Sequence, residues 1–234
     1  MSAVLYSLFP VASALVAAAC AVIFQRSDPI RRIMQHLAAG VVVAAVTVEL
    51  VPDLMGRRSP ISTALGFSLA VLVLVALKRM EDSTDDAVPT VPKTYIAATG
   101  IDLLLDGLVI AIGFAAGAKQ GKLLTFAPTL ELASLGLALI GELLGRQLSR
   151  WKAFTITAGV SCLLLIGSAV GAIVLKHLSP SLLAAALGFG VAALLFLVTE
   201  ELLLEAHKQE DTSTTTVIFF AGFLSILILD MVSG

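Results

Sequence analysis

Charge is scarce in this chain. Only 14% of its 234 residues are Asp, Glu, Lys or Arg, where an ordinary soluble domain carries about 25%. Aromatic residues make up 6%, and there are three histidines and two cysteines. Each scarcity excludes something. With a net charge of −2 and basic residues scattered singly between apolar runs, there is no basic stripe to hold a polyanion, so nucleic acid is not expected as a partner. Cys20 and Cys162 each lie inside an apolar run, where they read as small hydrophobes and give no disulfide framework. No Ser/His/Asp set, HExxH motif or paired histidine exists to activate water, so hydrolytic chemistry lacks its machinery and the chain is not expected to be an enzyme.

What fills the chain is apolar: 58% of residues are hydrophobic and the mean hydropathy is +1.00. That excess cannot be hidden in a soluble core. Runs of about 20 apolar residues are long enough to cross a ~30 Å hydrocarbon slab at 1.5 Å per residue. Charged or Pro/Gly-marked breaks divide the sequence into spans near 4–24, 33–55, 61–77, 94–117, 123–145, 152–175, 181–206 and 215–232. Backbone groups in lipid must be satisfied within their own segment, and no barrel-type alternation is present, so these are read as helices. The expected fold is all-α, a polytopic membrane protein with eight transmembrane helices in one domain, 1–234. The first run lacks a basic leader and carries Arg26, Arg31 and Arg32 after it, which suits a retained span.

Lys and Arg counted by alternate loops give an orientation. One set holds ten (Arg26, Arg31, Arg32, Lys78, Arg79, Lys93, Arg146, Arg150, Lys152, Lys208) and the other five (Arg57, Arg58, Lys119, Lys122, Lys176). Both termini are therefore expected outside, in the plasma (inner) membrane, with 78–93 a cytoplasmic linker containing the acidic stretch EDSTDDAVPTVPK. A weak internal repeat fits this layout. GVVVAAVTVELVPD from Gly40 and GVAALLFLVTEELLLEA from Gly190 both open with Gly-Val and reach Glu-Leu about ten residues later. They would run through the membrane in opposite directions, as inverted transporter repeats do, although Ala/Val/Leu-rich helices also resemble one another by composition.

A carboxylate at membrane depth is costly unless protonated, paired or metal-bound, so intramembrane acids are candidate functional groups. Asp102 and Asp106 in GIDLLLDGLVIAIG are spaced i and i+4, which puts them on one helix face about 6 Å apart. Glu131 lies in the next span, in APTLELASLG. Asp106 is ~20 Å along its helix from Lys93 and Glu131 ~22 Å from Arg146, so antiparallel neighbours would bring both acids to one layer, with Asp102 a turn deeper. Every Lys and Arg, with His36, His177 and His207, falls at or beyond a span end. Three clustered acids without a base either keep a proton or await a cation. The alternative is structural, each acid being neutral and hydrogen-bonded to a backbone carbonyl.

Other polar residues admit blander readings. Glu49 and Asp53 in VELVPDLM could face the headgroups. Glu200, Glu201, Glu205 and His207 in TEELLLEAH read as a solvated helix end, or as an exit-side relay of Glu200, Glu201 and His207. Thr129, Pro128 and Ser134 stand near Glu131 and could supply an oxygen and a local break, while Glu142 and Asp230 read as interfacial.

HLAAGVVVAAVTVELVPD, DLLLDGLVIAIGFAAG and VAALLFLVTEELLLEAH, with eight spans and an acidic linker after the third, resemble the ZIP family of divalent-metal transporters over nearly the whole chain. The resemblance implies three plus two plus three helices, inverted outer triplets and a metal site between spans four and five. The metal motifs depart from the family. Its fourth span usually reads His-Asn-x-x-Glu/Asp-Gly; alignment on Asp106-Gly107 puts Asp102 at the His and Leu103 at the Asn. In the fifth span, alignment on Gly136 puts Glu131 and Leu132 at a polar pair, Ser134 at a Pro and Leu135 at an acid. A further acid of the sixth span falls near Leu165. What is left is one oxygen-rich site, Asp102, Asp106, Glu131 and Ser134.

Without His or Cys at that depth, zinc's taste for N and S ligands has no support, and hard oxygen ligands shift the balance toward manganese, ferrous iron, magnesium or calcium. The expected function is inward transport of a divalent cation (zinc, manganese or ferrous iron) as substrate. The alternative is a non-transporting sensor or scaffold whose site has decayed. Expected partners are the metal ion and membrane lipid, with a homodimer left open.

Overall fold

The computed structural model describes residues 2–24, 28–82, 93–202 and 213–233, and the described residues form helices joined by short turns, with no strand among them. Eight helices are long and apolar enough to cross a membrane: Ser2–Val22, Ile33–Gly56, Pro60–Arg79, Thr99–Ala116, Ala118–Gly145, Arg150–Leu175, Pro180–Glu200 and Thr214–Val232, hereafter spans one to eight. Their outward stripes are apolar. Ile61, Leu65, Leu69 and Leu72 on span three, and Val217, Phe220, Leu224 and Ile228 on span eight, are all exposed at helical spacing, the pattern of helices whose outer face meets lipid instead of water. Cys20 and Cys162 are free and lie on exposed faces.

Local chemistry sets the helix ends. Spans three and seven both begin at a Ser-Pro pair, with Pro60 and Pro180 in the first turn, where a missing N–H costs nothing. The Ser179 hydroxyl accepts from the Leu182 N–H at 3.4 Å. Arg58 (φ 48°) and Gln147 (φ 61°) adopt left-handed backbone in the tight turns after spans two and five. Gly117 alone separates spans four and five. Lys119 and Lys122, expected in a loop, therefore lie in the first turns of span five. Likewise the helix of span three runs Pro60–Asp82, so Lys78 and Arg79 are helical; the core of the linker, 83–92, lies outside the described residues.

Two turns depart from α-helix. Val46–Leu50 in span two and Leu197–Leu202 at the end of span seven are π-helical, a form concentrated at functional sites. In the first, Pro52 follows, and its ring would collide with the carbonyl four residues back in a regular helix. Each π turn holds a threonine bonded back to the preceding turn: Thr47 Oγ1 donates to the Val43 and Ala44 carbonyls at 2.8 and 3.2 Å. Thr199 Oγ1 does the same to Leu195 and Phe196 at 3.0 and 3.1 Å.

The helices associate most extensively as four pairs, span four with six, one with five, three with seven and two with eight. In lipid there is no hydrophobic drive between apolar helices, so close backbone approach over small residues has to supply the packing. Three of the pairs meet over glycines on both partners. A Cβ on Gly40 would strike the Phe219 carbonyl and one on Gly222 the Leu37 carbonyl, while Gly107 and Gly167 face the Leu164 and Leu104 carbonyls. Gly66 and Gly188 do the same between spans three and seven. Spans one, four, five and six make one set, and two, three, seven and eight a second; the sets meet where span two packs on five and span seven on four. Span five is the most enclosed, 72% buried against 17% for spans three and eight, and it carries the buried Glu131.

Candidate metal centre

Asp102 and Asp106 project from one face of span four toward Glu131 on span five. One carboxylate oxygen from each lies within 4.8 Å of the other two, close enough for a single cation to touch all three at the 2.0–2.6 Å usual for metal–oxygen ligation. Asp106 and Glu131 are each only 6% exposed, and Asp102 is half-buried. Asp106 Oδ2 is buried and accepts no hydrogen bond. A buried carboxylate oxygen without a donor is costly as an anion, and it is what a cation would satisfy.

The backbone around the acids is arranged to admit a neighbour. Gly107, beside Asp106, lets the Leu164–Ser168 backbone of span six approach where any side chain would collide. Pro128 sits inside the span-five helix three residues before Glu131, interrupting its hydrogen-bond ladder. Ser13 of span one donates to the Thr129 carbonyl at 2.7 Å, tying that irregular turn to a neighbouring helix. Ser134 is buried, and its hydroxyl donates to the Glu131 carbonyl at 3.0 Å. Any contact it made with a cation would use an oxygen lone pair.

A small crevice lies beside Asp102 and Asp106 between spans three, four and seven, lined also by Leu74, Ala193, Phe196 and Leu197. Its walls on spans three and seven lie within about a turn of Lys78 and Glu200, whose side chains form an ion pair between those spans. Glu200 is thus partnered by a lysine of another helix. The side chain of Glu201, and His207 entirely, lie outside the described residues.

Chain order puts a second group of charges at the opposite end of the bundle. Lys119 Nζ of span five lies 2.5 Å from Asp230 Oδ1 of span eight and 3.9 Å from Glu49 Oε1 of span two, and it also donates to the Asp230 carbonyl at 3.4 Å. Glu49 is 4% exposed, so it does not face headgroups. Asp53, by contrast, pairs with Arg57 at 2.9 Å along its own helix. The Glu49 cluster was not legible as such in the sequence, because its members come from three distant segments. The one signal was Glu49 standing where the two repeat halves align.

No protein-family model matches the chain, and no curated protein matches its sequence.

Proposed function

We propose that this chain is a ZIP-like transporter that carries a divalent cation inward across the cell membrane, by alternating access through the carboxylates between spans four and five. The observation that carries this reading is the convergence of Asp102, Asp106 and Glu131 within 4.8 Å inside membrane-length helices. A three-plus-two-plus-three arrangement with inverted outer triplets is supported by the helix pairing. Exchanging span one with six, two with seven, three with eight and four with five turns each of the four closest pairs into another of the four. The two π turns, each with its back-bonded threonine, occupy exchanged positions in spans two and seven.

All three acids ride on one set of four spans, so that set can move against the other without breaking the site, which is what alternating access requires. The crevice beside Asp102 and Asp106 lies on the Lys78–Glu200 side of the acids, the side from which the site would be reached. Oxygen-only ligation favours manganese or ferrous iron, and carboxylates also accept zinc. Covalent chemistry has no part in this cycle.

Uptake of a panel of divalent metals into vesicles containing the purified protein, with and without a pH gradient, tests the proposal. Saturable accumulation of at least one metal is expected. Metal-dependent thermal stabilisation without accumulation in any condition would replace the transporter with a metal-binding sensor. Absence of both would remove the site.

A further inference from the structure

The charges at the end opposite the crevice are unusual in their arithmetic. Glu49 and Asp230 both converge on Lys119, whose Nζ lies 3.9 Å from Glu49 Oε1 and 2.5 Å from Asp230 Oδ1. Lys119 supplies the one positive charge among the three side chains. Two carboxylates thus face a single ammonium, where a divalent cation would match the charge of both.

Geometry separates this arrangement from an ordinary ion pair. Glu49 Oε1 is buried and accepts no hydrogen bond, and at 3.9 Å the ammonium is beyond hydrogen-bonding reach of it. Lys119 satisfies Asp230 and leaves Glu49 aimed at the same point with an oxygen to spare. The π turn at Val46–Leu50 holds Glu49 in this inward direction, since an added residue in the turn shifts the phase of the side chains around it. The acids come from spans two and eight, which pack together through Gly40 and Gly222, whereas Lys119 comes from span five and is over a third exposed. The acids thus share two helices that pack on one another, and the more exposed lysine, from a third helix, is the member able to leave.

We propose that Glu49 and Asp230 form a second divalent-cation site, distinct from Asp102, Asp106 and Glu131, in which the Lys119 ammonium stands in the cation's place and has to be displaced for the cation to bind. No covalent bond is made or broken in the exchange: the cation arrives between the two carboxylates, and the ammonium swings out to solvent still protonated. Hard oxygen ligands again fit Mn2+ or Mg2+.

The site is separable from the central one by experiment. Mn2+ binding is measured by equilibrium dialysis on full-length protein in which Asp106→Asn and Glu131→Gln neutralise two of the three central acids. Adding Lys119→Gln should tighten binding of about one Mn2+ per chain by at least tenfold, and adding Glu49→Gln should return it to the parent level. A companion measurement keeps Lys119 in place: Mn2+ should speed acetylation of its amine, read by mass spectrometry, because the displaced ammonium loses its carboxylate partners. Unchanged binding in Lys119→Gln, a gain that survives Glu49→Gln, or an acetylation rate indifferent to Mn2+ would each overturn the proposal, leaving the central site untouched.

Discussion

Asp102, Asp106 and Glu131 come from two adjacent helices of one set and converge as three acids, whereas Glu49 and Asp230 come from the other set and meet across a lysine. Both clusters place a nearly fully buried glutamate beside an aspartate. The difference lies in the third member. A tethered ammonium sits against the acids at the bundle end, so a cation has to displace it. The central acids share their space with a third acid, and Asp106 Oδ2 is buried without a donor, an atom that a cation arriving and departing would satisfy. A transport site needs the second arrangement, because a resident base would be a permanent competitor.

The largest effect expected follows from that contrast. Asp106→Asn or Glu131→Gln should abolish transport, lowering metal affinity by more than the ~10–100-fold that outer-shell partners alone are worth. Folding should survive, and thermal stability should rise, since a buried charge is removed; normal uptake by both variants would show that the cluster is structural. Asp102→His should shift selectivity toward Zn2+ over Mn2+ on the order of tenfold by adding an imidazole ligand, as read in competitive uptake. A profile identical to wild type would remove Asp102 from the ligand set.

Packing gives the next test. Gly107→Ala drives a methyl into the Leu164 carbonyl and should destabilise by about 1–3 kcal/mol, pushing span six from span four beside the site. Gly141→Ala, whose Cβ meets nothing within 4 Å, should instead gain roughly 0.5–1 kcal/mol from helix propensity. Equal thermal shifts for the two would contradict the glycine-mediated pairing. The smallest effect belongs to an ordinary surface pair: Asp53→Asn, which breaks only the Arg57 contact, should cost about 0.2–1 kcal/mol and leave metal uptake unchanged.

The sequence made the membrane spans and the central acids legible for distinct physical reasons. Apolar runs of membrane length announce helices without tertiary information, and Asp102 and Asp106 share a face by helical spacing alone. Bringing Glu131 to their depth needed only equal distances from charged span ends. The Lys119 cluster was hidden because lysines at a break between apolar runs read as a loop. Gly117 makes the turn by itself, and Asp230 then receives a lysine from an already helical segment. Glu200 read as a solvated helix end for a related reason, since Lys78 appeared to lie beyond its span until the helix was seen to run through Asp82. The π turns left only the weak signal of paired Thr and Glu residues in the repeat, a pattern that composition could imitate.

The central claim is that three acids at membrane depth bind a divalent cation directly. Calorimetric titration of Mn2+ into the wild-type protein, in buffers of different ionisation enthalpy, counts the protons exchanged. Metal-binding carboxylates must be deprotonated, so the account predicts release of one or more protons per ion, affinity that weakens as pH falls from 7.5 to ~5.5, and loss of the wild-type-affinity binding component, with its protons, in the Asp106→Asn, Glu131→Gln double variant. Binding that proceeds without proton release, or that persists at wild-type affinity in the double variant, would contradict it.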